Sequence, residues 1–196
     1  MSGISFEQPN IGELKALLSS TLRQFPDFPS KGILFEDILP IFKNPKTFQA
    51  LITALKFQIE SNFSGEARPD VIVGLDARGF LFGPTLALSL GAAFVPVRKQ
   101  GKVPGEVVEA LFEKEYGKDV FVMQADAITP GQKVIIVDDI IATGGSAKAA
   151  GELVTKLGGT ILEYAFLLEL DFLKGRDKLT APVYTLLSGQ PEKLKF

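Results

Sequence analysis

The chain has 196 residues, 46% of them hydrophobic and 22% charged, with a formal net charge of −2. That length predicts one domain with a substantial core, and the balanced charge provides no electrostatic reason to expect nucleic acid or an anionic membrane as a partner. Cysteine and histidine are both absent, which excludes disulfides, thiolate and Ser-His-Asp nucleophiles and Cys- or His-ligated metals; any metal would be a hard, oxygen-liking ion.

The N-terminus, MSGISFEQPN, lacks the basic region and apolar core of a secretory signal, so a cytosolic compartment is expected. Helical periodicity predicts helices over about 11–24 and 45–61, with Pro26, Pro29 and Gly32 interrupting between them. Residues 70–75 form a buried-type strand ending in Gly-Leu-Asp, followed by a helix over 84–90. Residues 79–97 carry no charge, close to the roughly 18 to 20 residues that span a bilayer. Their glycines and prolines favour a buried helix and then a strand over 93–97. Residues 98–119 are polar, charged and glycine-bearing and read as a long excursion from the core. Strands follow at 134–137, 160–168 and 183–187. Strands alternating with helices predict an α/β fold with a mainly parallel sheet covered on both faces. Neither a G-x-G-x-x-G nor a G-x-x-x-x-G-K-[ST] fingerprint occurs.

Residues 134–146, V-I-I-V-D-D-I-I-A-T-G-G-S, carry the most chemistry. Four β-branched residues make a strand buried on both faces, which runs into Asp138 and Asp139 and then a small-residue turn and a helix. Backbone N–H groups of such a turn can wrap an anion, helped by glycines that lack a Cβ and by the start of the helix. The two carboxylates suit hydroxyls, or a metal that neutralises phosphates. A ligand with a monophosphate beside a ribose diol fits both halves. The alternative is a plain turn with an acidic cap. Asp139 is expected to face solvent at the strand end and to support little packing.

These thirteen residues resemble the phosphoribosyl-pyrophosphate signature of the type I phosphoribosyltransferases. Phe25-Pro-Asp-Phe-Pro-Ser-Lys-Gly-Ile-Leu-Phe-Glu-Asp, Gly74-Leu-Asp-Ala-Arg-Gly-Phe-Leu-Phe-Gly-Pro, Val97-Arg-Lys-Gln-Gly-Lys-Val-Pro-Gly, Glu115-Tyr-Gly and Glu169-Leu-Asp-Phe-Leu-Lys-Gly-Arg resemble the adenine-using members of that family, the fungal ones in particular. The resemblance runs over about residues 22–190. It implies a single type I phosphoribosyltransferase domain over 1–196, a mainly parallel twisted sheet flanked by helices. An N-terminal hood would span about 22–40 and a mobile lid loop about 98–119. It further implies transfer of the 5-phosphoribosyl group from phosphoribosyl pyrophosphate to adenine, giving AMP and pyrophosphate, with Mg²⁺, in a cytoplasmic homodimer.

The same resemblance assigns roles by position. Asp138 and Asp139 would hold the ribose and its ring charge, and would touch Mg²⁺ directly or through water. Ala142, Thr143, Gly144, Gly145 and Ser146 would seat the 5′-phosphate. Asp76 and Ala77 would be joined by a non-proline cis peptide. Many members have Ser where this chain has Ala77, so one hydroxyl contact is missing. Arg78 would grip pyrophosphate, or else be a surface ion-pair residue. Arg98, Lys99 and Lys102 would belong to a lid closing over pyrophosphate, or to a plain solvated face. Glu115 would exchange a proton with purine N7, or form a lid salt bridge, and Tyr116 would pack on the closed lid. Phe35 would stack on the base while backbone groups at Leu34 read its edge, unless Phe25, Phe28 and Phe35 are simply core. Glu36 stands where some relatives carry Arg, which favours backbone readout. Two rivals remain: a different purine base, and a non-catalytic sensor, which would need an appended nucleic-acid-binding element.

Overall fold

The two apolar runs at 71–75 and 134–137 stand side by side in the middle of one sheet. A computed structural model describes residues 9–28, 31, 33–113 and 118–190. Helix α1 (Ile11–Thr21) leads into strands β1 (Arg23–Pro26) and β2 (Leu34–Asp37), helices α2 (Leu39–Lys43) and α3 (Pro45–Asn62), strand β3 (Val71–Leu75), helix α4 (Gly83–Leu90) and strands β4 (Ala93–Lys99), β5 (Val107–Glu113) and β6 (Lys118–Gln124). Strand β7 (Lys133–Ile141), helix α5 (Gly145–Lys156) and strands β8 (Thr160–Glu169) and β9 (Val183–Leu187) complete the order. The main sheet runs β5-β6-β4-β3-β7-β8-β9, parallel from β4 to β9.

Strand alternation divides the core. Ile72, Ile135 and Val137 pack with Leu18, Leu51, Leu55, Ile59 and Leu86 from α1, α3 and α4. Val71, Val73, Val134 and Ile136 pack instead with Ala150, Leu153 and Val154 of α5. Each fully buried Val, Leu or Ile contributes roughly 1.5–3 kcal/mol relative to exposure, so both faces are firmly specified. α3 begins where Asn44 Oδ1 accepts from Lys46 N at 2.9 Å and Pro45 occupies the first turn. The uncharged stretch 79–97 is a short turn, α4 and most of β4, as expected; among the described residues no helix is long and apolar enough to cross a membrane.

Two elements differ from the sequence reading. α1 stops at Thr21, and Arg23–Pro26 pairs antiparallel with Leu34–Asp37 as a separate two-stranded ribbon. Cross-strand bonds from Arg23 to Asp37 (2.5 Å) and from Gln24 to Glu36 (2.6 Å) hold that register and outweigh the helical periodicity. Much of the polar excursion is also sheet. β5 and β6 form an antiparallel hairpin joined to β4 through Arg98 opposite Val122. Val108 and Ala110 face the α5 side of the core, a two-residue alternation hidden in the sequence by the charges of Glu106, Glu109 and Glu113.

One buried polar pair crosses the layers. Gln58 Nε2 donates to Glu163 Oε2 at 3.0 Å, while Oε1 of each side chain is buried without a hydrogen bond. Burial pushes the Glu163 carboxyl up from 4.5 to about 7, against the smaller opposing effect of the Gln58 hydrogen bond. The folded chain therefore holds this proton more tightly than the unfolded one between about pH 4.5 and 7. Stability from this site is complete below the lower value and falls as pH rises through the upper one, by roughly 3 kcal/mol at most. Glu163→Gln should remove that slope and raise the melting temperature at pH 8 relative to the parent. Thermal scans from pH 5 to 8 would read both; an unchanged slope would show that Glu163 stays ionised in the fold.

Candidate active site

Parallel pairing of β3 with β7, Val71 opposite Val134 through Gly74 opposite Val137, brings the carboxyl ends of both strands to one edge of the sheet. Ligands of open α/β sheets bind at that edge. Beyond β3, a cis peptide joins Asp76 to Ala77 and the chain enters a 3₁₀ turn, Arg78–Leu81. Beyond β7 come residues 142–144 and the first turn of α5. The two segments close around a cleft of about 210 Å³. Arg78, Asp138, Asp139 and every residue from Ala142 to Ser146 line it, with Phe166 of β8 as the apolar wall.

The acidic pair does not stand past the strand, as the sequence reading had it. β7 continues through both carboxylates to Ile141. Asp138 is half-buried, and its Oδ1 accepts from the Asp139 backbone N–H at 2.9 Å. Asp139 is 1% exposed, which overturns the expectation that it faces solvent. Inside a sheet every second side chain points into a packed layer, and Asp139 is kept there by Arg78, whose Nε lies 2.8 Å from Asp139 Oδ2. That approach is an ion pair without hydrogen-bond alignment, so Oδ2 remains without a hydrogen-bond donor. Burial, and then the neighbouring Asp139 charge, push the Asp138 carboxyl well above the usual carboxylate range. Burial also raises Asp139, although the Arg78 guanidinium opposes it. Two adjacent carboxylates, one buried and one half-buried, resist ionising together.

Two oxygen-bearing side chains are a suitable partial shell for a hard cation that takes its other ligands from water and substrate phosphates. Asp138 and Asp139 are the groups here that could hold one. Among the described residues, no group of three or more acidic side chains converges as a complete cage.

The remaining expected residues lie apart from this cleft. Arg98 Nε donates to Asp76 Oδ2 at 3.0 Å, and its Nη1 donates to the Lys102 carbonyl at 3.2 Å. Lys99 Nζ is 3.4 Å from Asp119 Oδ2, and Lys102 is exposed. Leu34 and Phe35 sit on the β1–β2 ribbon, away from the cleft lining. Phe25 and Phe28 are 44% and 52% exposed, and Phe28 meets Phe35 edge-on with ring centroids 4.9 Å apart, so these rings are not core. Glu36 is buried and is held by Gln24. Glu115 and Tyr116 lie outside the described residues.

A phosphoribosyl transferase domain matches residues 39–193. An adenine phosphoribosyltransferase of Yarrowia lipolytica is 71% identical over 177 residues, 90% of this chain and 97% of that protein. The chain belongs to the adenine phosphoribosyltransferase family. The Saccharomyces cerevisiae adenine phosphoribosyltransferase, solved with adenine and D-2,5-dideoxy-2,5-imino-altritol 1,6-bisphosphate, superposes with a TM-score of 0.88 at 62% identity, over 90% of this chain and 99% of that one. A family member from Trypanosoma brucei, solved with AMP, pyrophosphate and ribose-5-phosphate, reaches 0.82 at 25% identity, over 96% and 87%.

Sequence reasoning missed a second wall behind the 142–146 turn. Gly144 has φ +78°, and a Cβ there would overlap the carbonyl oxygen of Gly175. The Gly175 backbone thus lies directly against this turn. The only sequence signal was that Gly175 falls in the Glu169–Arg176 segment typical of the family. Gly144→Ala should lose about 1–2 kcal/mol from the left-handed backbone alone and more from the overlap. Gly131 has φ +89° with nothing within 4 Å of a Cβ, so Gly131→Ala should show the backbone cost alone. Equal denaturation midpoints for the two variants would mean the overlap relaxes at no cost.

Proposed function

We propose that this protein transfers the 5-phosphoribosyl group of phosphoribosyl pyrophosphate to adenine, releasing AMP and pyrophosphate. The observation that carries the reading is that the acidic pair and the turn 142–146 open onto one cleft, so a ribose diol and its 5′-phosphate can be held together. Backbone N–H groups of residues 143–146 and the start of α5 receive the phosphate, while the Thr143 and Ser146 hydroxyls donate to it. Binding energy taken there, away from the bond changes, positions the anomeric carbon.

As the bond from that carbon to pyrophosphate breaks, the ribose ring becomes cationic, and adenine N9 forms the new bond from the opposite face. Asp138 and Asp139 favour that charge because they are short of positive partners in a desolvated site. The two also fit Mg²⁺, held directly or through water, which when bound supplies charge neutralisation to the pyrophosphate. Arg78 sits across the cleft with its planar fork, suited to pyrophosphate oxygens, and Asp76 and Ala77 shape the approach to it. Arg98, Lys99 and Lys102 lie at the root of the β5–β6 hairpin and contribute cationic cover when the lid over 98–119 closes. Glu115 and Tyr116 belong to that lid, Glu115 exchanging a proton with purine N7. The β1–β2 ribbon is the hood, with Phe35 against the base and the Leu34 backbone reading its edge.

The chain acts as one domain and as a homodimer in the cytoplasm. Support for self-association comes from Leu39, Leu81 and Leu88, which leave 51%, 41% and 82% of their surface open; sedimentation velocity reads it directly.

Turnover of a base panel with phosphoribosyl pyrophosphate and Mg²⁺ tests the substrate. Backbone readout should accept the 6-amino group and reject a 6-oxo base, because an unmatched buried polar pair costs about 1–3 kcal/mol, so adenine should exceed hypoxanthine at least tenfold. Comparable rates would retain the enzyme class and discard adenine. Asp138, the more accessible of the pair, tests the mechanism. Asp138→Asn should lower kcat/KM by roughly 10- to 1,000-fold, about 1.4–4 kcal/mol. Full activity in that variant would remove the acidic pair from the reaction.

A further inference from the structure

β8 ends at Glu169, directly opposite Ile141, the last residue of β7 before the phosphate turn. Leu170 N donates to the Ile141 carbonyl at 3.0 Å, and the chain then folds back through the 3₁₀ turn Asp171–Leu173. Lys174 adopts a left-handed conformation with φ 51°, and a second 3₁₀ turn begins at Gly175. This return places Gly175 against the rear of the turn. A Cβ on Gly175 would overlap the Ala142 carbonyl oxygen and come within 2.8 Å of Gly144 N. Two backbones are therefore in contact with no side chain between them, and any drift of one moves the other.

A side-chain fork closes the return. Arg176 Nε donates to Glu169 Oε1 at 2.7 Å and Arg176 Nη2 donates to Glu169 Oε2, while Thr185 Oγ1 on β9 donates to the same Oε2 at 3.2 Å. The Glu169 side chain is 3% exposed and that of Arg176 is 46% exposed. One end of the fork is thus anchored in the sheet while the other lies on the return. The Arg176 hydrogen bonds hold the Glu169 carboxyl below its ordinary range. Gly189 N adds a tie, donating to Asp171 Oδ2 at 2.6 Å.

We propose that Arg176 is a positioning residue for the 5′-phosphate seat: its fork to Glu169 presses Gly175 onto Ala142 and Gly144 and so fixes the turn's N–H groups where the phosphate needs them. The proposal rests on the reading of residues 142–146 as that seat. Its mark is selectivity among ligands. AMP and phosphoribosyl pyrophosphate carry the 5′-phosphate; adenine and pyrophosphate do not.

Arg176→Gln keeps a polar side chain but loses the charged fork. It should weaken AMP binding by calorimetry, and raise KM for phosphoribosyl pyrophosphate, by roughly 5- to 30-fold, the range of one or two kcal/mol. Pyrophosphate affinity, KM for adenine and kcat should stay within about twofold. Arg176→Lys keeps the charge without the planar fork and should fall between parent and Gln, and it carries the test if the Gln variant fails to fold. Ile59→Val, a core change in α3, serves as the stability control and should leave AMP affinity unchanged.

Equal losses for AMP and pyrophosphate would mean general distortion and overturn the proposal. So would parental AMP affinity in both Arg176 variants. A parent protein that binds neither AMP nor phosphoribosyl pyrophosphate would instead sink the underlying reading of the site, a distinct result.

Discussion

Everything at this site depends on the parallel register of β3 against β7. With Gly74 opposite Val137, β3 ends beside Asp138 while β7 runs on to Ile141, so Asp76–Leu81 and residues 138–146 come together at one edge. That register is held by apolar contact on both faces, because β3 and Val134–Val137 are almost wholly buried between the helical layers. A slip by one residue would turn each of these side chains toward the opposite layer. The carboxylates, the guanidinium and the turn 142–146 would then no longer meet. Packing energy distributed over the sheet centre therefore sets the geometry of a few polar groups at its rim.

Those polar groups are arranged in tension. Asp138 and Asp139 are adjacent, desolvated and served by one half-exposed cation, Arg78. Such a cluster is a weak source of stability, since desolvation takes back most of the Coulombic gain. A positive charge brought to the cluster would relieve the repulsion. Apart from the cleft lining, Arg98 pairs with Asp76 and Lys99 with Asp119. Behind the turn the arrangement is the reverse. Backbone meets backbone at Gly144 and Gly175, and the buried Glu169 carboxylate is fully engaged by Arg176 and Thr185. One side of the 142–146 turn faces the charged groups and the other is mechanically stiff.

Taken alone, the order of residues determined the α/β class, the central strands, α3, α4, α5 and the position of the turn between β7 and α5. These are local properties: β-branched runs of fixed length, helical periodicity and a Gly-Gly turn after an acidic pair. The resemblance carried by residues 74–84 and 134–146 also placed the Asp76–Ala77 cis peptide correctly. Only the tertiary structure decided which of two neighbouring aspartates is buried, because a strand's two faces are distinguished by what packs on them and not by the strand itself. It also decided that the first helix stops at Thr21 and that residues 107–113 and 118–124 join the sheet, since strand partners lie elsewhere in the chain. The brace from Glu169 through Arg176 to Gly175 was invisible for the same reason. Its parts are ordinary residues until β8 is laid beside β7, and the contact against Ala142 and Gly144 spans thirty residues or so of chain, a distance over which local propensity carries no information.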